Sequence, residues 1–550
     1  MGKLIMTKKS VQRSILAASL VFIAFVLVAC GNQSSSSKKP QVLNLAAEAP
    51  LPTIDLAKST GYGQTGNIYE SFFRLGKNGK ATPGLAKTAT ESRDGKTWTF
   101  KLRDAKWSNG DKIKAQDFVY SWRRTLTPST KAEYAYLFEG IKNATAINQG
   151  KMNPNKLGIE ATDDKTVVVH LDKPIAYFKI LMAYPLFAPQ NQKAVEKYGK
   201  KYATKSEYMV YSGPFKLKNW NGTGNKWTFV KNNQYWDKKV VKLSRVNYTV
   251  VSSLATSLDL YRQKKLDLTE LSSEQVKNYK NDSQFKKYPY SQIFYLKYNF
   301  KDDDATIRKA LNNRDIRLAF SLAVDRKTLT KSAMGDDAQV PNGFVPSGLA
   351  SYDGKDFAES QTVKNTVTYN KKLAKQHWEK GLKAIGAKNL KMTLVASNDD
   401  PVTSTVTQYL KAQFEKVLPG FTLDIRSVPS QTANQYGQRG DFDITLSGWG
   451  ADFNDPISFL QIPMTGTSYN YGKYSNKAYD KLVKKADNED ANNPAKRWQD
   501  LLQASRLFNE DQGMTPLYQN ETSFLQRSDV KGIIHNTAGA QWSYKYAYVK

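Results

Sequence analysis

Residues 406–417 read Val-Thr-Gln-Tyr-Leu-Lys-Ala-Gln-Phe-Glu-Lys-Val, Leu418-Pro419-Gly420 follows, and the chain continues Phe421-Thr422-Leu423-Asp424-Ile425. The first run has helical spacing, the Pro-Gly pair closes it, and the third alternates as a strand. After a polar interval comes a second apolar run, residues 442–446, which predicts another strand. Helix, turn, strand and strand in this order argue for part of an α/β layer.

The segments around this one are also mixed. Residues 98–102, Trp-Thr-Phe-Lys-Leu, alternate as a half-buried strand, and Asn109-Gly110 supplies a turn. A helix is predicted from Ala115 to Thr125, with Ala115, Phe118, Val119 and Trp122 on one face and Lys114, Asp117 and Arg124 largely on the wet side. Residues 159–171 read as a hairpin turning at Asp163-Asp164-Lys165, with His170 at the end of its second strand in a structural role. Asp315 is the expected N-cap of a helix whose face is Ile316, Ala319, Phe320 and Ala323. Further helix is expected over 371–384 and further strand over 514–525. No repeat of 20–50 residues is visible, and the chain reads as α/β throughout.

The chain has 550 residues, 81 basic and 50 acidic side chains, three histidines and one cysteine. That length provides large cores without staples, and one cysteine excludes intramolecular disulfides and thiolate zinc sites. Three separated histidines disfavour a histidine metal site, and no metal or cofactor is expected. Lys3, Lys8, Lys9 and Arg13 precede a charge-free run over residues 14–29 that is shorter than a membrane span. Residues 1–29 therefore read as a signal peptide. It ends Leu27-Val28-Ala29-Cys30-Gly31, which resembles the lipobox of bacterial lipoproteins. By that resemblance Cys30 becomes the first mature residue and carries two or more acyl chains, enough for stable anchoring. Residues 30–40 then form the lipidated cysteine and a polar tether.

Removing residues 1–29 takes away four basic side chains and leaves a net charge of +27 on the rest. The lysines are scattered along the chain, which favours a solvated basic surface over a nucleic-acid patch. The polyanions met by an exported, anchored protein are anionic lipids and cell-wall polymers.

Several segments carry a more specific likeness. They are Pro52-Thr53-Ile54-Asp55 with Tyr69-Glu70; residues 94–103 running on to Asp117; Ser212-Gly213-Pro214-Phe215; Gln234-Tyr235-Trp236-Asp237; Asp315-Ile316-Arg317-Leu318-Ala319 with Ala323-Val324-Asp325-Arg326; and Asp441-Phe442-Asp443 leading to residues 448–456. In their order and spacing from about Val42 to the C-terminus they resemble the oligopeptide-binding lipoproteins of bacterial ABC importers, extracellular solute-binding protein family 5.

The resemblance implies a two-lobed periplasmic-binding-protein-like fold with an additional inserted domain. Carried onto this chain, the first lobe comprises residues 41–69, 213–298 and 526–550, the inserted domain 70–212, and the second lobe 299–525. It further implies a monomeric receptor at the extracellular face of a Gram-positive cell membrane, passing oligopeptides to the membrane subunits of an importer. The residues implied to touch peptide are Gly448, Trp449, Gly450 and Asp452 on one side and, around residues 59–63, Tyr62 on the other. Tyr134, Tyr518 and Asn520 join them by approximate position.

The chemistry agrees with that role. A general peptide receptor must fix an ammonium and a repeating backbone while tolerating varied side chains, and strand addition holds backbone without reading side chains. Asp452 suits the ammonium; read from spacing alone, Asp452 or Asp455 instead caps the turn before Pro456. No basic residue stands between Gly440 and Trp449, where some relatives place cations for a peptide carboxylate, and Leu446 occupies part of that stretch. Catalysis has little footing, since the acidic residues lack calcium-loop spacing and no histidine stands near to activate a serine. The alternatives are a surface adhesion or cell-wall-binding lipoprotein, and a member of the same family carrying a non-peptide ligand.

Overall fold

The computed structural model describes residues 40–51, 53–59, 65–335, 338–399, 401–539 and 541–550. The signal peptide, Cys30, most of the tether and Tyr62 lie outside the described residues. Gln41–Lys550 form one compact unit. No helix among the described residues is long and apolar enough to cross a membrane.

One large mixed sheet runs through this unit. Its main strands, numbered along the chain, are β1 (Val42–Ala47), β2 (Phe215–Lys218), β3 (Lys226–Lys231), β4 (Arg245–Val250), β5 (Leu268–Glu270), β6 (Phe285–Tyr298), β7 (Leu390–Ser397), β8 (Phe421–Val428), β9 (Ile444–Gly450) and β10 (Met514–Gln526). Their order is β8-β7-β9-β6-β10-β5-β1-β4-β3-β2. The two long strands, β6 and β10, are antiparallel neighbours over most of their length, with a register break between Pro289 and Ile293. Before that break they adjoin the strands around β1, and after it β6 pairs with β9.

A separate four-stranded antiparallel sheet is built from Ala86–Glu91, Thr97–Leu102, Ile159–Asp163 and Thr166–His170. The helix α1 (Ala115–Leu126) packs on it. The expected strand, helix and hairpin are all present here, and Phe72 stacks between Phe100 and Phe118, with centroids 4.1 and 4.0 Å away. Arg124 differs from expectation. It turns inward, and its two guanidinium nitrogens each donate to Asp55 at 2.7 Å, joining α1 to the segment before it. Asp117 is drawn in too, accepting from the Trp107 indole at 3.2 Å and the Lys114 amide at 2.9 Å.

The remaining long helices include α2 (Arg314–Ala323), α3 (Lys371–Ile385), α4 (Pro401–Val417), α5 (Ser430–Arg439) and α6 (Pro494–Asp511). The N-cap of α2 is Asn313, whose side chain accepts from the Ile316 amide at 3.2 Å. Asp315 sits two residues after it, in the first turn, where it faces His377 and Lys380 at 2.7 and 2.9 Å. A carboxylate in a first helical turn is favourable whether or not it caps, so the residue types alone fit both positions. Arg317 donates to the carbonyls of Asp511 and Gln512 at 2.7 and 3.1 Å. Arg326, 2% exposed, donates to the carbonyls of Ser321, Val367 and Pro516 at 2.7–2.9 Å. These two cations hold α2 against α6 and β10.

Other quoted motifs are also joints. Tyr235 donates to the Glu70 carboxylate at 3.0 Å, and the Glu70 amide donates to Ser212 at 3.0 Å. The Gly213 amide donates to the Ile68 carbonyl, and a β-carbon on Gly213 would stand 2.5 Å from the Ile68 carbonyl carbon. Only glycine permits that approach.

Candidate functional site

β9 starts two residues later than the apolar run 442–446 predicts and runs four residues further, because β6 pairs with it from Ile444 to Gly450. On its other side β7 pairs only with Ile444 and Thr445. Residues 446–450 therefore have a strand neighbour on one side only among the described residues, and their other edge offers unpaired main-chain groups. Gly448 is required there: a β-carbon would come within 2.9 Å of the Phe294 ring. That ring is held by Tyr518, stacked on it at 4.7 Å and 11°. At Gly450 a β-carbon would meet only Gln292, at 4.0 Å. The missing side chain leaves the end of the strand bare.

Trp449 is half-buried. Its indole donates to the Ser458 carbonyl at 2.9 Å, and its ring meets Tyr469 edge-on at 4.9 Å. The Ser458 hydroxyl accepts from the Asp452 amide at 2.9 Å, so one buried serine fixes both residues. Asp452 Oδ1 accepts from the Tyr136 hydroxyl at 3.0 Å, while its Oδ2 is buried with no hydrogen-bond partner. Burial pushes the Asp452 carboxyl up to about 6, against the opposing effect of the Tyr136 hydrogen bond. Burial also raises the Tyr134 and Tyr136 phenols, with the Asp452 charge adding to it. A carboxylate with one oxygen buried and unanswered is costly unless a cation or donor arrives.

Asp455, three residues on, behaves differently. It accepts from both terminal nitrogens of Arg497 at 2.7 and 2.8 Å and from the Ile457 amide at 3.0 Å. The capping role therefore belongs to Asp455. Asp452 is freed from it. The loop 451–456 also touches the segment that carries the four-stranded sheet, through Tyr136 on Asp452 and through Tyr177 stacked on Phe453 at 4.3 Å.

A cavity of about 400 Å³ opens beside the bare strand edge, lined among others by Lys297, Ser447, Gly448, Trp449, Tyr469 and Tyr471. The structure thus gathers Gly448, Trp449, Gly450 and Asp452 along one edge, with Tyr134 beside Tyr136 at 5.8 Å between rings. Tyr518 is 2% exposed behind Phe294, and Asn520 on β10 donates to Gln292 at 3.0 Å, with β6 between it and the edge. Three neighbours were not singled out from the sequence: Tyr136, Tyr469 and Lys297. Lys297 had a visible signal, a lysine inside the aromatic strand run Phe294-Tyr295-Leu296-Lys297-Tyr298. No group of three or more His, Cys, Asp or Glu side chains that could hold a metal occurs among the described residues.

Comparison with known proteins finds similar chains over nearly the whole length. The family model described as bacterial extracellular solute-binding proteins, family 5 Middle, matches residues 80–471. A dipeptide-binding protein of Lactococcus lactis subsp. cremoris is 36% identical over 545 residues, covering 97% of this chain and 98% of its own. The oligopeptide-binding protein OppA of Bacillus subtilis is 30% identical over 559 residues, covering 98% and 99%. Among solved structures, Listeria monocytogenes OppA bound to peptide superposes with a TM-score of 0.75 at 36% identity, covering 93% of this chain and 99% of that one.

Proposed function

Since the chain belongs to the bacterial extracellular solute-binding proteins of family 5, with their mixed α/β solute-binding fold, we propose that it captures oligopeptides in a closing cleft and delivers them to an ABC importer. The observation that carries this reading is Asp452, a half-buried carboxylate whose Oδ2 is buried and unanswered, just beyond a strand with one bare edge. The peptide backbone adds to residues 446–450 as a strand, and its ammonium meets Asp452. Relatives whose names specify dipeptides and oligopeptides support the ligand class. The family is one of receptors, and no reaction is assigned to the site.

In this reading the lobes are residues 41–69, 213–298 and 526–550 against residues 299–525, with 70–212 inserted, and β6 and β10 cross between them. Closure on ligand stabilises the folded protein by mass action, by about 2.7 kcal/mol at a hundredfold excess over Kd. A mixed peptide pool is expected to raise the melting temperature by about 2–3 °C for a chain of this size and to reduce the radius of gyration in X-ray scattering. A glycan or metal complex that does both, where the peptide pool does neither, would remove the peptide assignment.

Anchoring through Cys30 belongs to the same proposal and places the receptor on the outer face of a Gram-positive cell membrane. Cys30→Ala is expected to leave the precursor uncut or the protein released into the medium. Membrane-fraction recovery of a cleaved mutant at wild-type level would count against the anchor.

A further inference from the structure

Beneath the bare edge of β9, β6 carries a charge that the fold leaves unanswered. Lys297 is 7% exposed and lies opposite Thr445 in the β6–β9 register. Its ammonium makes no hydrogen bond or ion pair among the described residues. Its nearest company is aromatic, with the Tyr471 ring centroid 4.7 Å away and that of Tyr295 6.0 Å away. Other buried cations in the fold are answered: Arg497 by Asp455, Lys545 by Asp237, and Arg317 and Arg326 by carbonyls. Burial alone pushes Lys297 down to about 8, with no carboxylate acting in the opposite direction. It is also the only charged side chain among the described residues lining the cavity of about 400 Å³ that it shares with Ser447, Gly448 and Trp449.

Resting on the peptide reading above, we propose that Lys297 forms the floor of a subsite that takes a carboxylate of the bound peptide. The carboxylate comes from an interior glutamate or aspartate side chain, or from the C-terminus of a short peptide. Two features favour an anion. The aromatic faces of Tyr471 and Tyr295 keep the ammonium charged at modest cost while leaving its hydrogen-bond donors unused. The other described residues of the cavity walls are neutral, with hydroxyl, amide, aromatic and aliphatic side chains, so no resident acid competes. Gly450 and Thr445 are five positions apart, about 17 Å of extended strand, so the subsite lies several residues along a peptide whose ammonium is at Asp452. Asp452 and Lys297 then read opposite charges at a fixed separation, which selects register as well as composition.

The test uses calorimetry with the mature protein and two peptide sets. In the first, one glutamate is walked through positions 2–6 of a hexapeptide with a free amine and an amidated C-terminus, against glutamine at each position. In the second, neutral peptides of three to six residues carry either a free or an amidated C-terminus. At one position or one length the acid is expected to bind about ten- to hundredfold tighter than its neutral twin. The set in which this occurs identifies the source of the carboxylate. Lys297→Met, which keeps the stem packed under Tyr471, is expected to bring that ratio close to one, and Lys297→Arg to retain part of it. A ratio near one throughout in the wild type, or a ratio that survives Lys297→Met, overturns the subsite while leaving the receptor intact. Failure of every peptide in both sets to bind overturns the peptide reading itself.

Discussion

Asp452→Asn is expected to weaken binding of a free-amine peptide by roughly two to four powers of ten. The substitution keeps the shape, and the amide oxygen still accepts from Tyr136, but the ligand ammonium enters a closed cleft without its counter-charge. An uncompensated buried charge costs on the order of 3–5 kcal/mol, which gives the stated factor. N-acetylation of the peptide removes the other partner and should weaken wild-type binding by the same mechanism. The two losses combined should be less than their sum, since both remove one interaction. Calorimetry on wild type and mutant, each with the free and acetylated forms of one neutral, amidated peptide, completes the cycle. Additive losses would show that the peptide is held by its backbone alone.

The pH dependence has a definite sign. In the unliganded protein the Asp452 carboxyl titrates at about 6, above its ordinary 3.8, because it is buried, and a bound ammonium lowers it again. The proton must leave before the pair forms, so affinity, greatest near pH 7 and below the roughly 8 at which the free peptide's own α-amino group deprotonates, declines as pH falls through 6. In Asp452→Asn this decline is lost. A raised carboxyl also means that the folded state takes up a proton more readily than the unfolded chain. The ionised group therefore costs stability at neutral pH, and the cost disappears below the unfolded value. Asp452→Asn should accordingly make the unliganded protein more stable at pH 7, by on the order of 2–3 kcal/mol, while it loses ligand.

Asp455→Ala is expected to do the reverse, lowering unfolding free energy by about 3–5 kcal/mol because Arg497 is left buried without its partner. The Asp455 and Arg497 side chains are 11% and 9% exposed and are joined by two parallel bonds. Replacing both, as Asp455→Leu with Arg497→Met, should cost less than Asp455→Ala alone, since no charge is then stranded. Urea unfolding of the unliganded proteins measures all three. An Asp455→Ala protein within 1 kcal/mol of wild type would show that water reaches Arg497. Two aspartates three residues apart would then differ less than their surroundings indicate.

Local pattern was enough for the elements that bury one face. Thr97–Leu102 alternates polar and apolar as its pleat demands, and α1 starts at Ala115 as its apolar stripe requires. The order of the motifs also carried the family, because their joints are dense in residues that tolerate no substitute, such as Gly213 against Ile68 and Tyr235 on Glu70. A strand near 442–446 was legible as an apolar run, but its start at Ile444 and its continuation through Gly448, Trp449 and Gly450 were not. Two glycines weaken any strand signal, and it is the pairing with β6, distant in sequence, that holds them extended.

Charges were the least legible. Composition and spacing treat Arg124, Asp452, Asp455 and Lys297 alike, as polar residues with a claim on solvent. Which of them is paired, capping or unanswered depends on partners 42 to 316 positions away: Asp55 for Arg124, Arg497 for Asp455, Tyr136 for Asp452, and no counter-ion among the described residues for Lys297. Sequence alone determined the alternation, the helix stripes and the glycine joints, because those are interactions between near neighbours or steric demands of one residue. The tertiary structure decided which carboxylate is paired and which keeps an unanswered oxygen, because the energy of a buried charge is set by what folding brings beside it.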